Sequence, residues 1–139
     1  VLATKPDGQV NVNWTGSFSD VALASEAAQT HINVGADVLT GTAQMVVGAI
    51  GVARQRGVLW FGTQANQTSL APEVVVANQV YDWTVVLRPM IQLIKEGKMG
   101  GTTYALTLAN GGLKIVVNQE VLVEKTIQDI IEGKINIEL

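Results

Sequence analysis

Four short clusters of polar and aromatic residues hold the side chains of this sequence that could bind a ligand. They are TGSFSD at 15–20, TGTAQ at 40–44, GTQANQ at 62–67 and NQVYDW at 78–83. Amides and hydroxyls donate and accept hydrogen bonds, and aromatic rings can stack on a planar ligand, so the clusters suit a neutral polar ligand. The cluster at 15–20 could instead be a helix cap around a packed Phe18, and the cluster at 62–67 could be a solvated loop. The candidate ligand contacts are Gly16, Ser17, Phe18, Asp20, Thr40, Gly41, Gln44, Gln64, Asn66, Tyr81, Asp82 and Trp83.

The clusters lack the residue combinations that catalysis or metal binding requires. The sequence has no cysteine, and its one histidine, His31, falls in a predicted helix without a second histidine beside it. Asp20 and Asp82 are the only acids in the clusters, so no pair of carboxylates suited to acid–base catalysis is present. TGTAQ lacks the glycine-rich fingerprint and the nearby lysine of a phosphate-binding loop. We therefore predict a binding protein rather than an enzyme, with no metal and no cofactor.

Length and composition limit the class of protein. The chain has 139 residues, of which 47% are hydrophobic and 15% charged, which favours one folded α/β domain over a disordered chain. The net charge of -3 and the absence of a segment rich in lysine or arginine argue against a nucleic-acid partner. No apolar run reaches the ~18–20 residues of a membrane helix. Because the chain begins at Val1 rather than at a methionine, we interpret it as a processed chain or an excised fragment.

Short apolar runs alternate with longer amphipathic patterns, and these predict the elements that position the clusters. Strands are predicted at 10–14, 36–40, 58–62 and 74–78. Helices are predicted at 20–34, 42–56, 82–98 and about 119–132, and a hairpin is predicted from TYALTL at 103–108 and LKIVV at 113–117. This order predicts a mostly parallel sheet with helices on its faces. Because ligands of such sheets bind at the carboxyl ends of the strands, the four clusters should share one edge.

Taken in order, these motifs resemble the second half of the basic membrane protein family, whose members are receptors of ABC transporters. The matching segments cover nearly the whole chain and are GSFSD, GADVLTG, GVLWFGTQANQ, SLAPEVVVANQVYDW and NGGLKIVV. The resemblance implies a type 1 periplasmic-binding fold, in which two Rossmann-like lobes are joined by three crossover segments and grip the ligand between them. It also implies that residues 1–139 form the C-terminal lobe and that the first lobe is missing.

The resemblance further implies the solute-binding component of an ABC importer, which closes on a purine nucleoside or nucleobase-like ligand and then docks on the transporter permease. Such a protein would be extracytoplasmic and, at full length, lipid-anchored. Phe18 falls where family members stack an aromatic ring on the purine. Elsewhere the sequence departs from the family: Thr40 replaces a second aromatic, Gln64 and Asn66 replace two aspartates, and Tyr81 replaces a lysine. These departures leave a free nucleobase or another heterocycle open as the ligand.

Two other classes of function stay open at this point. One is a ligand-sensing domain of a signalling or regulatory protein with the same fold, which the sequence before residue 1 would distinguish through a DNA-binding helix pair. The other is a small Rossmann-like enzyme, which would need a cofactor fingerprint or an acid–base pair that the sequence does not show.

The predicted helix at 82–98 carries the most amphipathic pattern of the chain, with Pro89 placed to kink or divide it. We call its apolar side chains the apolar stripe; they are Trp83, Val86, Leu87, Met90, Ile91 and Ile94. The resemblance implies that the first lobe covers the apolar stripe. In the fragment alone, a second copy, a retained piece of the first lobe or a swung helix should cover it, and self-association is the simplest of the three.

Overall fold

The computed structural model describes residues 5–118, in which a sheet of four strands and three α-helices make up about half of the residues. The strands are β1 (Val38–Thr40), β2 (Leu59–Gly62), β3 (Val75–Tyr81) and β4 (Leu113–Val117). The helices are α1 (Val21–Asn33), α2 (Val46–Arg56) and α3 (Thr84–Lys95), and a short 3-10 helix spans Thr68–Leu70. The helix predicted at 119–132 lies outside the described residues.

The sheet is mostly parallel, as predicted, and its strands follow one another in chain order. β1 pairs with β2 and β2 with β3 in parallel, while β3 and β4 are antiparallel with Ala77 opposite Val117. The predicted strands at 36–40, 58–62 and 74–78 are confirmed, although β3 continues to Tyr81. All three parallel strands therefore end on the same edge of the sheet, which we call the carboxyl edge.

The core lies between the sheet and the pair of helices α1 and α2. Ala24 of α1, Ile50 and Ala53 of α2, and Trp60 of β2 are buried in one apolar cluster. The two helices approach so closely that a Cβ atom at Gly48 would lie 2.3 Å from the carbonyl oxygen of Val21. The absence of a side chain at Gly48 therefore allows α1 and α2 to pack closely on each other.

The helix boundaries follow local backbone chemistry. Asp20 caps α1 because its carboxylate accepts from the backbone N–H of Leu23 at 3.1 Å. α2 ends at Gly57, whose φ of 68° is in the left-handed region. It begins at Val46 rather than at the predicted residue 42, since Ala43 has a φ of 72° and cannot be part of a right-handed helix.

α3 runs without interruption across Pro89, so the proline does not divide the predicted helix. Within residues 5–118, Val86 is the only residue of α3 that is buried. The rest of the apolar stripe is exposed, namely Trp83, Leu87, Met90, Ile91 and Ile94. Among the described residues, no helix has the length and apolar character needed to cross a membrane.

The predicted strand at 10–14 is wrong. These residues form no strand, and β1 pairs only with β2 among the described residues. The alternating apolar side chains Val10, Val12 and Trp14 are exposed rather than packed on the sheet. Asparagines at positions 11 and 13 are poor strand formers, so a pattern with a period of two has little intrinsic support here.

The first strand of the predicted hairpin, at 103–108, is also wrong. The side chain of Asn110 takes the backbone groups that a hairpin ladder would use: its oxygen accepts from the N–H groups of Thr107 and Gly112, both at 2.9 Å. Its nitrogen donates to the carbonyl oxygen of Ala105 at 2.8 Å. The second segment is a strand, β4, but it pairs with the long edge of β3 instead.

Candidate functional site

The loops after β1 and β2 are bound to each other at the carboxyl edge. The hydroxyl of Thr63 donates to the carbonyl oxygen of Gly41 at 2.6 Å, and the hydroxyl of Thr40 donates to that of Phe61 at 2.8 Å. The backbone N–H of Ala43 donates to the side-chain oxygen of Gln64 at 3.1 Å. The clusters at 40–44 and 62–67 therefore form one surface.

The end of β3 joins the same surface through Gln64, whose main-chain oxygen accepts from the N–H of Tyr81 at 3.2 Å. Gln64 and Ala43 both have positive φ, at 71° and 72°. Such values are uncommon in residues other than glycine and indicate a backbone held in place by its surroundings. Gln64 is thus the residue at which the loops after all three parallel strands meet.

The cluster at 15–20 reaches this surface through α2. The carbonyl oxygen of Phe18 accepts from the N–H of Met45 at 3.1 Å, and the hydroxyl of Thr15 lies 3.3 Å from the Met45 sulfur. Because Met45 follows Ala43 by two residues, one short loop contacts Gln64 on one side and Phe18 on the other. The structure therefore brings parts of all four clusters together.

Within the first cluster, the polar side chains hold the local turn and leave the aromatic ring free. The hydroxyl oxygen of Ser17 accepts from the N–H groups of Ser19 and Asp20, and Asp20 caps α1. Gly16 supplies a φ of 73°. The Phe18 side chain is 76% exposed, which makes it the member of this cluster best placed to stack on a ligand.

Asn78 is a structural residue rather than part of an exposed loop. It lies inside β3 opposite Gly62 and is 1% exposed. Its side-chain oxygen accepts from the N–H of Gln67 at 2.9 Å, and its nitrogen donates to the side-chain oxygens of Asn66 and Thr68 at 3.2 and 2.9 Å. The amide oxygen of Asn66 is therefore used inside the protein, where it also accepts from the N–H of Thr68.

Asp82 uses both carboxylate oxygens within the protein. One accepts from the backbone N–H of Thr84 at 3.1 Å and from the Thr84 hydroxyl, and the other is 2.7 Å from the ammonium of Lys114. The hydrogen bond from Lys114, followed by the two from Thr84, lowers the pKa of the Asp82 carboxyl from 3.8 to about 2. Beside it, the rings of Tyr81 and Trp83 make an edge-to-face contact with centroids 5.7 Å apart.

The two remaining candidates have different environments. A Cβ atom at Gly41 would lie 3.1 Å from Val46 and 3.3 Å from the Trp60 ring, so the loop can approach the core only through glycine. Gln44 is exposed, and its side chain makes no hydrogen bond to any other residue in the described range 5–118. Its amide is thus free for a ligand.

Sequence reasoning missed two residues near this surface. Trp14, which was assigned to a strand, is 90% exposed just before the first cluster. Lys114 is brought to Asp82 by the pairing of β4 with β3, which places it opposite Val80. The sequence held no direct signal for Lys114, because its position depends on which strand β4 pairs with. In the described residues, no group of three or more histidines and acids is arranged to hold a metal ion.

A family model described as ABC transporter substrate-binding protein, PnrA-like, and named Bmp matches residues 1–138. The chain belongs to the Bmp family. This confirms the family to which the ordered motifs pointed.

Two curated relatives of the Bmp chain are substantially longer than it. One is a purine-binding protein of Brucella abortus, 31% identical over 81 residues, which are 58% of this chain and 23% of the relative. The other is a putative ABC transporter glucose-binding protein of Haloferax volcanii, 27% identical over 95 residues, which are 68% of this chain and 24% of the relative. The matched segments thus span about a quarter of the length of these relatives.

Solved structures with the same fold are also about twice as long as the Bmp chain or longer. A transcriptional activator of the comK gene from Bacillus halodurans has a TM-score of 0.71 at 16% identity, over 87% of this chain and 43% of that one. Solute-binding proteins of ABC transporter systems from Conexibacter woesei and Aeropyrum pernix have TM-scores of 0.67 and 0.65, at 21% and 24% identity. They cover 99% and 98% of this chain, which corresponds to 49% and 39% of theirs.

We predict that the ionised carboxyl of Asp82 stabilises the folded chain through its hydrogen bonds with Thr84 and Lys114. Its folded pKa of about 2 lies below the ordinary 3.8, so its contribution to stability is present above the ordinary value and is lost as the pH falls toward 2. The free energy of unfolding, measured with urea, should therefore fall less between about pH 4 and pH 2 for Asp82→Asn than for the unmodified chain. In Lys114→Met the hydrogen bonds from Thr84 remain, so the pKa of Asp82 measured by NMR titration should rise from about 2 part of the way toward 3.8. A midpoint at 3.8 in the unmodified chain would contradict this assignment.

Proposed function

We propose that this chain is the second lobe of a two-lobed receptor that binds a purine nucleobase or nucleoside between its lobes and delivers it to the permease of an ABC importer. The receptor works outside the cytoplasmic membrane, binds its solute without converting it, and needs no cofactor. Membership of the Bmp family supports the transport role. The similarity to a purine-binding protein over 81 residues supports the ligand class.

The exposed ring of Phe18 on a fixed turn is the observation that carries the ligand proposal. The Phe18 ring is 76% exposed, so it contributes little to the packing of this lobe. Its backbone is nevertheless held in place through Ser17, Asp20 and Met45. Stacking on a heterocycle buries such a ring, and one base stack contributes about 1–3 kcal/mol. The uncharged amides of Gln44 and Gln64, on the loops that follow β1 and β2, can bind the polar edge of the heterocycle.

A sugar is the second candidate ligand because the Haloferax volcanii relative is named as a putative glucose-binding protein. Exposed aromatic rings also pack on sugar rings, so Phe18 and Trp14 do not separate the two by themselves. The structural likeness to a transcriptional activator, at 16% identity, shows a shared fold and gives no reason to prefer a regulatory role.

The proposed first lobe also accounts for the exposure of the apolar stripe. Leu87, Ile91 and Ile94 project from a helix with one buried residue, and Met90 and Ile94 line an apolar groove with Met99. Burying one such side chain contributes roughly 1.5–3 kcal/mol, so a surface of this size is expected to have a protein partner. We propose that residues 82–98 pack on the first lobe, which the length of the relatives accommodates.

Phe18→Ala in the full-length gene product should weaken purine binding by about 1–3 kcal/mol, or roughly 5- to 150-fold in dissociation constant. Phe18→Tyr keeps the stacking surface and should stay close to the unmodified protein. Isothermal titration calorimetry with adenine, hypoxanthine and inosine measures the effect, and glucose is titrated in parallel. Glucose binding without purine binding would reject the purine proposal in favour of the sugar.

Leu87→Glu together with Ile91→Glu should keep the isolated chain monomeric, whereas the unmodified chain should self-associate as its concentration rises. Arg88→Glu together with Gln92→Glu adds charge on the polar side of the same helix and should leave the association intact. Sedimentation velocity measures the three proteins side by side. If the unmodified chain sediments as a monomer at every concentration, the apolar stripe needs no partner and the argument for a covering lobe fails.

A further inference from the structure

The amide group of Gln64 has a fixed orientation, and this determines what the group can offer to a ligand. The atom that faces the backbone N–H of Ala43, 3.1 Å away, must be the side-chain oxygen, because an N–H group can only donate. The side-chain NH2 group therefore points away from Ala43. Gln64 is exposed, and no residue in the range 5–118 accepts a hydrogen bond from this NH2 group. Gln64 thus presents its NH2 donors to a ligand, while its side-chain oxygen already accepts a hydrogen bond from Ala43.

The backbone around Gln64 keeps the amide in this position. Its φ of 71° is held from one side by the Ala43 contact and from the other by its own carbonyl oxygen, which accepts from Tyr81. A side chain fixed in this way loses little conformational freedom when a ligand binds, so its hydrogen bond is favoured over that of a mobile surface amide.

The acceptor oxygens of Asp82 and Asn66 are already engaged, whereas the exposed amide of Gln44 stays free within the described range 5–118. Both carboxylate oxygens of Asp82 and the amide oxygen of Asn66 accept hydrogen bonds within the protein. The ammonium of Lys114 is more than half exposed beside Asp82 and can donate further. At this edge the side chains that are fixed in place therefore offer donors to a ligand, while their acceptors are turned inward.

We propose that Gln64 is a specificity-determining residue, which donates a hydrogen bond from its side-chain nitrogen to an acceptor on the ligand. This inference rests on the proposed function and narrows its ligand class to heterocycles that present a ring carbonyl or an unprotonated ring nitrogen to Gln64. A carboxylate at the same position would instead select groups that donate, such as the hydroxyls of a sugar.

Two substitutions separate this role from a purely structural one. Gln64→Glu keeps an oxygen for the Ala43 N–H but turns a second acceptor toward the ligand. Gln64→Gly removes the side chain and tolerates the positive φ, so it is expected to fold. A donor role predicts that Gln64→Glu loses more affinity than Gln64→Gly, because two acceptors then face each other. A structural role predicts the reverse order, since only Gln64→Gly loses the bond to Ala43.

The test is calorimetric titration of the full-length gene product with hypoxanthine, a purine that carries a ring carbonyl, at neutral pH. We expect affinity to fall about 2- to 10-fold for Gln64→Gly and roughly 10- to 100-fold for Gln64→Glu. Gln29→Glu, which adds the same charge in the last turns of α1 away from the site, should bind as the unmodified protein does. Circular dichroism shows whether each variant is folded. A Gln64→Glu variant that fails to fold is replaced by a titration of the remaining two proteins with purine, which carries ring nitrogens but no carbonyl. Unchanged purine binding by Gln64→Gly would then overturn the donor role.

Each outcome decides between the two proposals. If hypoxanthine binds the unmodified protein and Gln64→Glu binds it equally well or better, Gln64 does not donate to the ligand and this inference is overturned alone. An unchanged affinity in Gln64→Gly overturns it in the same way. If the unmodified protein binds neither hypoxanthine nor purine, the proposed ligand class fails, and the inference fails with it.

Discussion

The hydrogen bonds of Gln64 are the interaction on which the arrangement of the carboxyl edge depends. Parallel pairing of β1, β2 and β3 brings three loops to one edge, but it does not fix where those loops go. Gln64 does so by accepting from Ala43 through its side chain and from Tyr81 through its backbone. Because Met45 binds the turn of Phe18, the aromatic ring is positioned through the same loop.

A binding surface of this kind must first satisfy its own polar groups. Ser17, Asp20, Asn66 and Asp82 have the side-chain types expected of ligand contacts, yet their hydrogen bonds cap a helix, close a turn or pair with Lys114. Because these four side chains bind other groups of the protein, fewer side chains of the clusters face outward, and these are mainly aromatic rings and amides. We propose that this surface is one wall of a ligand site. The exposed apolar stripe of α3 is consistent with a second lobe that would supply the opposite wall.

The sequence predicted the parts of the fold that depend on local pattern. The strands at 36–40, 58–62 and 74–78 are short apolar runs with residues in the core, such as Leu39, Trp60 and Val75, so their length and composition identified them. The segment 10–14 has the alternation of a strand, but its apolar side chains are exposed. In the segment 103–108, the side chain of Asn110 binds backbone groups that strand pairing would need. Periodicity contains neither the low strand propensity of Asn11 and Asn13 nor the local hydrogen bonds of Asn110.

The same limit applied to the candidate site. The positions of three clusters followed from strand order, since parallel strands end on one edge, whereas the cluster at 15–20 follows no strand of the described residues and joins the surface through Met45. Which of these residues are structural and which face outward could not be predicted from the sequence, because the answer depends on the hydrogen-bond partners of each side chain. The pairing of Asn78 with Asn66 and of Asp82 with Lys114 depends on the registers of β3 with β2 and with β4. The family motifs pointed to this edge as the candidate site, and the hydrogen bonds show which of its side chains are used within the protein.

The central claim is that this edge forms one wall of a purine site. The most direct measurement is a crystal structure of the full-length gene product with hypoxanthine bound. The account predicts the heterocycle stacked on the Phe18 ring with an acceptor atom within hydrogen-bond distance of the Gln64 side-chain nitrogen, and α3 covered by the other lobe. A ligand bound away from the loops that follow β1, β2 and β3 would contradict it.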